Sequence, residues 1–259
     1  MLRAKNLSDA PKLSHAFFSR EGGCSSGIYD SLNCGLSSLD TRKNVLKNRA
    51  ICAREMGVPK SNLITAYQQH TAKVIIVSKP WAPSSAPVAD ALVTNTPDIA
   101  LAVLTADCVP ILFYEPNMRI IAAAHAGWKG ALSGVIDNTI NAIVRLGGIR
   151  TNIIAAIGPC ILSSNYEIDR DLYERFCSQD KNNNKHFKAL ENKKNRYNFD
   201  LGNYVYDRVI SNGLALVQKI DVTCTQTRAT FFSYRKSINN SEDDYGRQLS
   251  SICMHSKSY

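Results

Sequence analysis

Three short apolar runs in the middle of the chain each meet a polar or glycine-rich turn that carries a metal-binding side chain. The segments read QQHTAKVIIV, IALAVLTADCVPILFY and IIAAAHAGWKG. Apolar runs of this length are typical of buried strands, and α/β folds place their chemistry at the ends of strands. The pattern therefore predicts that His70, Cys108 and His125 lie at the edge of a sheet.

Two imidazoles and one thiolate form a donor set that suits zinc. Three protein ligands with a fourth position for water are typical of a catalytic zinc site. The separations are long, with 38 residues from His70 to Cys108 and 17 from Cys108 to His125, and they include no close CxxC or HxxxH pair. The alternative is that Cys108 is a small buried residue and His125 a histidine of the core or of a turn. From the residues alone, both interpretations remain open.

The length of 259 residues allows one large α/β domain or two small ones. Apolar runs recur from Val74 to Cys253 without a Gly-, Ser- or Pro-rich linker, which favours a single domain over 1–259. The Asn- and Lys-rich stretch near 178–198 is expected to be an exposed loop or a local insertion. Several connections are too short for helices, so we expect a mixed β-sheet with flanking helices.

Apolar periodicity assigns the individual elements. We expect a first strand at 15–18, then a long irregular loop rich in Gly, Ser and Asn. The expected helices, the last with Asp200 as its N-cap, cover 40–56, 131–145, 171–177 and 201–211. The other expected strands cover 74–77, 91–94, 99–104, 111–114, 120–124, 153–157, 215–217, 231–234 and 249–254.

The charge and the N-terminal sequence bear on partners and location. A net charge of +9 raises nucleic acid as a partner. Much of the excess lies in the Asn/Lys-rich stretch and at isolated Lys and Arg residues, which form no recognisable nucleic-acid module, so we expect no nucleic-acid partner. A small anion such as phosphate fits a basic surface. Since MLRAKNLSDAPK holds no apolar secretory core and no run approaches a membrane span, we expect a soluble, cytoplasmic protein with no membrane partner and with reduced thiols.

The motifs LTADCVP and AAAHAGWKG, with QQH before them and AAIGPCI after, resemble those of the YfiH family. Its members are also described as laccase-domain or multicopper polyphenol oxidase proteins and are regarded as purine nucleoside phosphorylases. The resemblance runs from SREGGCSSGIYDSLNCG to FFSYRKS and Gly246-Arg247, nearly the whole chain. Thr71 stands where the family commonly has glycine, and Ser19 where it usually has threonine.

The resemblance implies a single-domain α/β fold related to cysteine-deamidase toxins, with zinc held by His70, Cys108 and His125. It also implies phosphorolysis of adenosine, inosine and methylthioadenosine, with adenosine deamination as a second activity. Copper is the alternative metal, although five histidines without an HxH pair argue against a multicopper oxidase. Asp107 is then the expected proton shuttle, or else a hydrogen-bond acceptor that holds a ligand or a turn.

Phosphorolysis requires a cationic site for phosphate and a surface for the base. The substrate-binding candidates are Arg20, Asn33, Arg49, Tyr166, Phe232 and Arg235, together with Trp128 and Arg247. The arginines and Asn33 would bind phosphate or ribose oxygens, and the aromatic residues would stack on the base. Arg49 and Arg20 are favoured for phosphate because they flank the Gly/Ser loop. The structural alternatives are surface charges or ion pairs for the arginines and core packing for the aromatic residues.

Two other functions remain open at this point. Cys108 could act as a nucleophile with His125 as its base, which would make the protein a cysteine hydrolase or deamidase acting on an amide. The chain could also be a nonenzymatic binding protein stabilised by a structural metal. Zinc bound through Cys108 would oppose the first of these alternatives, and the sequence leaves the oligomeric state open.

Overall fold

Three β-sheets with helices around them organise the described part of the chain, residues 1–220, 224–227 and 229–256, in the computed structural model. The strands are β1 Leu13–Phe17, β2 Leu63–Ile64, β3 Val74–Ile76, β4 Ala91–Thr94, β5 Ala100–Thr105, β6 Val109–Glu115, β7 Ile120–Ala126, β8 Ile154–Ile157, β9 Glu167–Asp169, β10 Phe187–Ala189, β11 Arg196–Phe199, β12 Leu216–Lys219 and β13 Gln248–Met254. The helices are α1 Lys5–Ser8, α2 Arg42–Glu55, α3 Trp128–Leu132, α4 Val135–Arg145, α5 Arg170–Gln179, α6 Leu201–Ile210 and α7 Tyr234–Asn239.

The central sheet has six strands in the order β12-β8-β6-β7-β4-β3. Its inner pairs are antiparallel and its two outer pairs are parallel, which confirms the expected mixed sheet in an α/β fold. One face packs on the helices, with Ile136 and Ile140 of α4 and Val205 of α6 in the core. Because both faces are covered, β6 and β7 are buried along their whole length and read as continuous apolar runs.

The second face of the central sheet packs on a four-stranded sheet, ordered β1-β13-β5-β2. Leu92, Leu112 and Ile121 of the central sheet lie in one buried cluster with Leu101 and Ile252 of the four-stranded sheet. Apolar side chains from two facing sheets therefore form the second layer of the core.

Most elements expected from apolar periodicity are confirmed within one to three residues. β4 lies at 91–94 as expected, and Asp200 caps α6 by accepting a hydrogen bond from the backbone N–H of Asn203 at 2.9 Å. The Gly/Ser-rich loop contains only one 3₁₀ turn, Gly27–Tyr29. No helix among the described residues is both long and apolar enough to span a bilayer.

Two expected elements are wrong. The single helix expected over 131–145 is two helices, α3 and α4, because Gly134 has a φ of +92° that ends the first helix. The strand expected over 231–234 is absent from this described segment, since Ser233 instead caps α7 by accepting a hydrogen bond from the N–H of Lys236.

The Asn/Lys-rich segment near 178–198 contains regular structure. A 3₁₀ helix, Lys181–His186, is followed by the hairpin β10-β11, which joins β9 in a three-stranded sheet. Phe187 and Phe199 stack at 4.4 Å between ring centroids, and Phe199 is fully buried. A few aromatic residues therefore attach an otherwise polar segment to the core.

The buried His15 of β1 is expected to make folding sensitive to acid. Burial and the charge of Arg3 lower the pKa of His15 from 6.5 to about 4, and its Nε2 accepts the N–H of Ala4 at 2.8 Å. Between pH 6.5 and about pH 4 the unfolded chain binds a proton at His15 that the folded protein does not bind. The free energy of unfolding therefore falls as the pH falls from about 6.5 towards 4. Urea unfolding should show that, from pH 7 to pH 4.5, the free energy of unfolding falls by about 2–3 kcal/mol more in the wild type than in His15→Gln. An identical loss in both proteins would contradict this assignment.

Candidate metal centre

The side chains of His70, Cys108 and His125 converge at one end of the central sheet. Their candidate ligand atoms all lie within 4.8 Å of one another, and Cys108 Sγ is 3.8 Å from His70 Nε2. Cys108 directly precedes β6, His125 is the penultimate residue of β7, and these strands pair with Pro110 opposite His125. His70 comes from the turn before β3. The antiparallel pairing of β6 with β7 thus brings together residues that are distant in sequence.

A buried carboxylate, that of Asp90 directly before β4, ties two of these residues together. Asp90 Oδ1 accepts hydrogen bonds from His125 Nδ1 at 2.8 Å and from the N–H of His70 at 3.0 Å. Its Oδ2 accepts from the N–H and the hydroxyl of Thr71, at 2.6 and 2.8 Å, and from the N–H of Gln69 at 3.2 Å. Because Nδ1 of His125 donates to Asp90, Nε2 is the nitrogen left for a metal.

The electrostatics of the cluster favour charged forms of its members. Burial alone would raise the pKa of Asp90, but hydrogen bonds and charge from His125 and Thr71 outweigh it and lower the pKa to about 2. Burial likewise opposes ionisation of Cys108, yet the two imidazoles lower the pKa of its thiol to about 6. The charges of Cys108 and Asp90, with their hydrogen bonds, raise the pKa of His125 to about 9 against its burial. Thiolate is the form of cysteine that binds metals.

The backbone around the cluster adopts conformations that few side chains tolerate. His70 and Asp107 have φ values of +59° and +86°, in the left-handed region. A Cβ built at Gly127 would lie 2.5 Å from His70 Cδ2 and 3.0 Å from Cys108 Sγ. Only glycine therefore lets β7 turn into α3 without displacing two members of the cluster.

Asp107 lies beside the cluster with its carboxylate fully engaged. Oδ1 accepts the hydroxyl of Thr225 at 2.6 Å, and Oδ2 accepts the hydroxyl of Ser233 at 2.8 Å and the N–H of Arg235 at 2.7 Å. Burial raises the pKa of Asp107, although these three donors oppose that effect. These three hydrogen bonds connect the Thr225 and Arg235 segments to the residue beside Cys108.

Two cavities meet at the cluster, and His70 and Cys108 line both. The first, which we call the aromatic cavity, has a volume of about 640 Å³ and is lined by Trp128, Tyr166 and Tyr234. The second, the basic cavity, has a volume of about 480 Å³ and is lined by Arg42, Arg247 and His125, among others. A reacting atom held at the cluster is therefore accessible from two sides.

Three of the substrate-binding candidates, Tyr166, Arg235 and Trp128, line the aromatic cavity. The guanidinium carbon of Arg235 lies 5.4 Å from the centre of the Tyr166 ring, and its Nη2 donates to the carbonyl of Glu167 at 3.0 Å. These contacts hold the two side chains side by side at the wall.

Arg20 and Phe232 lie together elsewhere, with the guanidinium carbon 4.4 Å from the ring centre. They line a third cavity, of about 320 Å³, to which none of the three cluster residues contributes. Asn33 is fully buried, and its amide group donates to Ser38 and Asp40, while its Oδ1 accepts from Gly35 and Arg247 N–H groups. Its geometry is that of a residue that holds the loop.

Arg49 is buried behind the wall of the basic cavity. Its Nη2 donates to Thr65 Oγ1 at 3.0 Å, and its Nη1 donates to the carbonyl of Cys34 at 3.4 Å. Thr65 itself lines the basic cavity. Arg49 thus contacts Thr65, a residue of the cavity wall, but does not itself line the cavity.

Sequence reasoning missed two residues of this centre, Asp90 and Gly127. They lie in the segments ADALVT and HAGWKG, and neither was among the candidate site residues. The signal for Asp90 is a lone carboxylate directly before an apolar strand. A buried charge at that place requires several hydrogen-bond donors, and the sequence does not show which they are.

The chain matches a known protein family and is similar to several named proteins. The family model described as "Multi-copper polyphenol oxidoreductase laccase" matches residues 14–255. A purine nucleoside phosphorylase of Streptomyces coelicolor is 38% identical over 156 residues, 60% of this chain and 64% of that protein. The match thus spans slightly less than two thirds of that relative's length. One of Rickettsia conorii is 31% identical over 241 residues, 90% of this chain and 99% of that protein.

A solved structure has the same fold. The Bacillus licheniformis hypothetical protein YfiH superposes with a TM-score of 0.85 at 27% sequence identity, covering 95% of this chain and 97% of that chain. The arrangement of the sheets is therefore shared along nearly the whole chain.

Replacing Asp90 by Asn should weaken the affinity of the cluster for added Zn²⁺ about 10- to 100-fold, the range typical when the hydrogen-bond partner of a metal ligand is lost. Asn has one accepting oxygen where Asp90 has two, and it carries no charge, so it cannot accept the hydrogen bonds of both His125 and the 69–71 turn. Competition with a chromophoric chelator measures the affinity, and Glu174→Gln, on the exposed face of α5, is the control. An unchanged zinc affinity in the Asp90 variant would show that this carboxylate does not support the cluster.

Proposed function

We propose that this chain, which belongs to the YfiH family of laccase-domain proteins, is a zinc-dependent purine nucleoside phosphorylase. Its substrates would be adenosine, inosine and methylthioadenosine together with phosphate, and adenosine deamination would be a second activity. The observation that carries the proposal is the His70–Cys108–His125 cluster at the junction of two cavities. The names of the relatives, purine nucleoside phosphorylase, support the reaction class.

The donor set of the cluster fits zinc. His125 offers Nε2 because Asp90 occupies Nδ1, and the lowered pKa of Cys108 supplies a thiolate near neutral pH. Two nitrogens and one sulfur leave one tetrahedral position open, as in catalytic zinc sites. When bound, zinc supplies a Lewis acid at the junction of the cavities. Copper is the alternative metal, because thiolate and imidazole also suit it.

The aromatic cavity supports binding of a nucleoside. Its volume, about 640 Å³, lies within the range of roughly 300–1,000 Å³ usual for small-molecule sites. Trp128 and Tyr166 offer ring faces for the purine, and Arg235 lies beside Tyr166. In phosphorolysis a phosphate oxygen forms a bond to C1′ of the ribose while the bond from C1′ to the purine nitrogen breaks. The purine leaves with the bonding electrons, and the protein must hold the two reactants in line.

A product assay tests this function directly. Zinc-loaded protein with adenosine and phosphate should release adenine, and inosine should appear in parallel from deamination. Chromatography that separates adenine, inosine and hypoxanthine, with and without phosphate, distinguishes the two reactions. Cys108→Ala should lose bound zinc and both activities. Full turnover in a metal-free Cys108→Ala protein would contradict the proposal, and zinc-dependent folding without any turnover would favour a nonenzymatic metal-stabilised binding protein.

Asp107 is the proposed proton carrier. Its raised pKa and its place beside Cys108 at the wall of the aromatic cavity support that role. Asp107→Asn should retain zinc but lower deamination about 10²- to 10⁴-fold, because an amide cannot shuttle a proton. The control is Glu174→Gln, at an exposed carboxylate that lines neither cavity. Zinc content and deamination rate are measured on the same variant. A slow variant that keeps its zinc supports a proton carrier, whereas loss of zinc would indicate that Asp107 holds the cluster in place.

One observation favours a second function, a cysteine hydrolase. Asp90, His125 and Cys108 follow one another in the order carboxylate, imidazole, thiol, which is the order of groups in cysteine hydrolases. Cys108 as nucleophile and His125 as base would then act on an amide. Turnover of an amide by the metal-free protein, with inhibition by zinc, would support this function over phosphorolysis.

A further inference from the structure

We infer that the basic cavity is the subsite for inorganic phosphate and that the aromatic cavity takes the nucleoside. Phosphate and nucleoside would then reach the cluster from opposite cavities and meet where His70 and Cys108 line both. This assignment rests on the proposed phosphorylase function. It moves the phosphate from Arg20, which lines another cavity, to Arg247 and Arg42.

The charges of the two cavities differ. Four carboxylates and four cations line the aromatic cavity, namely Asp107, Glu167, Asp169, Asp171, Lys129, Arg175, Arg196 and Arg235. Among the described residues that line the basic cavity, Arg42 and Arg247 face no lining carboxylate. An anion therefore gains more in the basic cavity, whose described wall carries two arginines and no carboxylate.

Arg247 is held in place with donors to spare. Its Nη1 donates to the backbone carbonyl of Tyr245 at 2.9 Å. Its guanidinium carbon lies 4.0 Å from the centre of the Tyr245 ring. Asp244 Oδ1 is 3.8 Å away, at the edge of ion-pair distance. Within the described part of the chain, Nε and Nη2 have no hydrogen-bond partner. A planar guanidinium fixed in this way suits a phosphate group.

Two threonine hydroxyls add to the site. Thr65 Oγ1 accepts from the buried Arg49, so its own hydrogen is left to donate to an anion. Thr105 is buried in the same wall, and its hydroxyl has no partner among the described residues. Arg49 itself forms no ion pair with a described carboxylate, although a buried guanidinium is costly without one. A phosphate in the basic cavity would supply the missing negative charge and a partner for the hydroxyl.

Calorimetry with inorganic phosphate on the zinc-loaded protein tests the assignment. Arg247→Gln should weaken phosphate binding roughly ten- to a hundredfold, as expected for lost charge-assisted hydrogen bonds. Arg42→Gln, at an exposed position, and Thr65→Val should weaken it by smaller factors and guard against a folding defect in the first variant. Arg196→Gln, at a half-exposed arginine of the aromatic cavity, tests the alternative that phosphate binds there. The control is Arg170→Gln, at an exposed arginine that lines neither cavity.

Steady-state kinetics provide the second measurement. The three variants of the basic cavity should raise the KM for phosphate and leave the KM for the nucleoside within about twofold, because the subsites are separate. A larger rise in the KM for phosphate in Arg196→Gln than in Arg247→Gln would overturn the inference while the proposed function stands. Phosphate binding that depends on Arg247 in a protein without phosphorolysis would overturn the proposed function and leave an anion site.

The phosphate group could also belong to a nucleotide. If the cavity binds free phosphate, adenosine 5′-monophosphate should compete with inorganic phosphate no better than adenosine does. Competition that is at least tenfold stronger and is lost in Arg247→Gln would assign the cavity to a nucleotide phosphate and overturn the inference.

Discussion

The structure of the candidate metal centre depends on the charged carboxylate of Asp90, which is buried directly before β4. It lies 1% exposed and compensates its loss of water with five hydrogen bonds from the 69–71 turn and from His125. Because one group binds both segments, the position of His70 is coupled to the orientation of His125. Removing the carboxylate would free the turn and the imidazole together, whereas removing a single metal ligand leaves the other two in place.

The central sheet converts this local arrangement into an accessible site. β6 and β7 are buried on both faces, so their ends are fixed by packing in two core layers. Cys108 and His125 lie at those ends and are held in place by the same packing. The cavities on either side are lined by loop residues and by residues of helices α2, α3, α5, α6 and α7 and strands β5, β9 and β11. The positions of Cys108 and His125 therefore depend on the packed sheet more than on the cavity walls.

The mixed α/β fold and nearly every buried strand could be predicted from the sequence, because a short continuous apolar run such as 91–94 is typical of a strand buried on both faces. It failed where a distant partner decides the local structure. The segment 231–234 is apolar enough for a strand, but Ser233 caps a helix and also donates to Asp107, more than a hundred residues earlier. Similarly, the role of Asp90 depends on donors from two other segments, and none of these contacts leaves a periodic signal.

Gly127 has a consequence for any attempt to build such a site elsewhere. The place that its missing side chain would fill is the place where His70 and Cys108 approach each other. Grafting the two histidines and the cysteine onto another scaffold would therefore reproduce the ligands without the room they need. A transplanted site has to include the glycine as well. Even the methyl group of alanine at the position of Gly127 would push His70 and Cys108 apart.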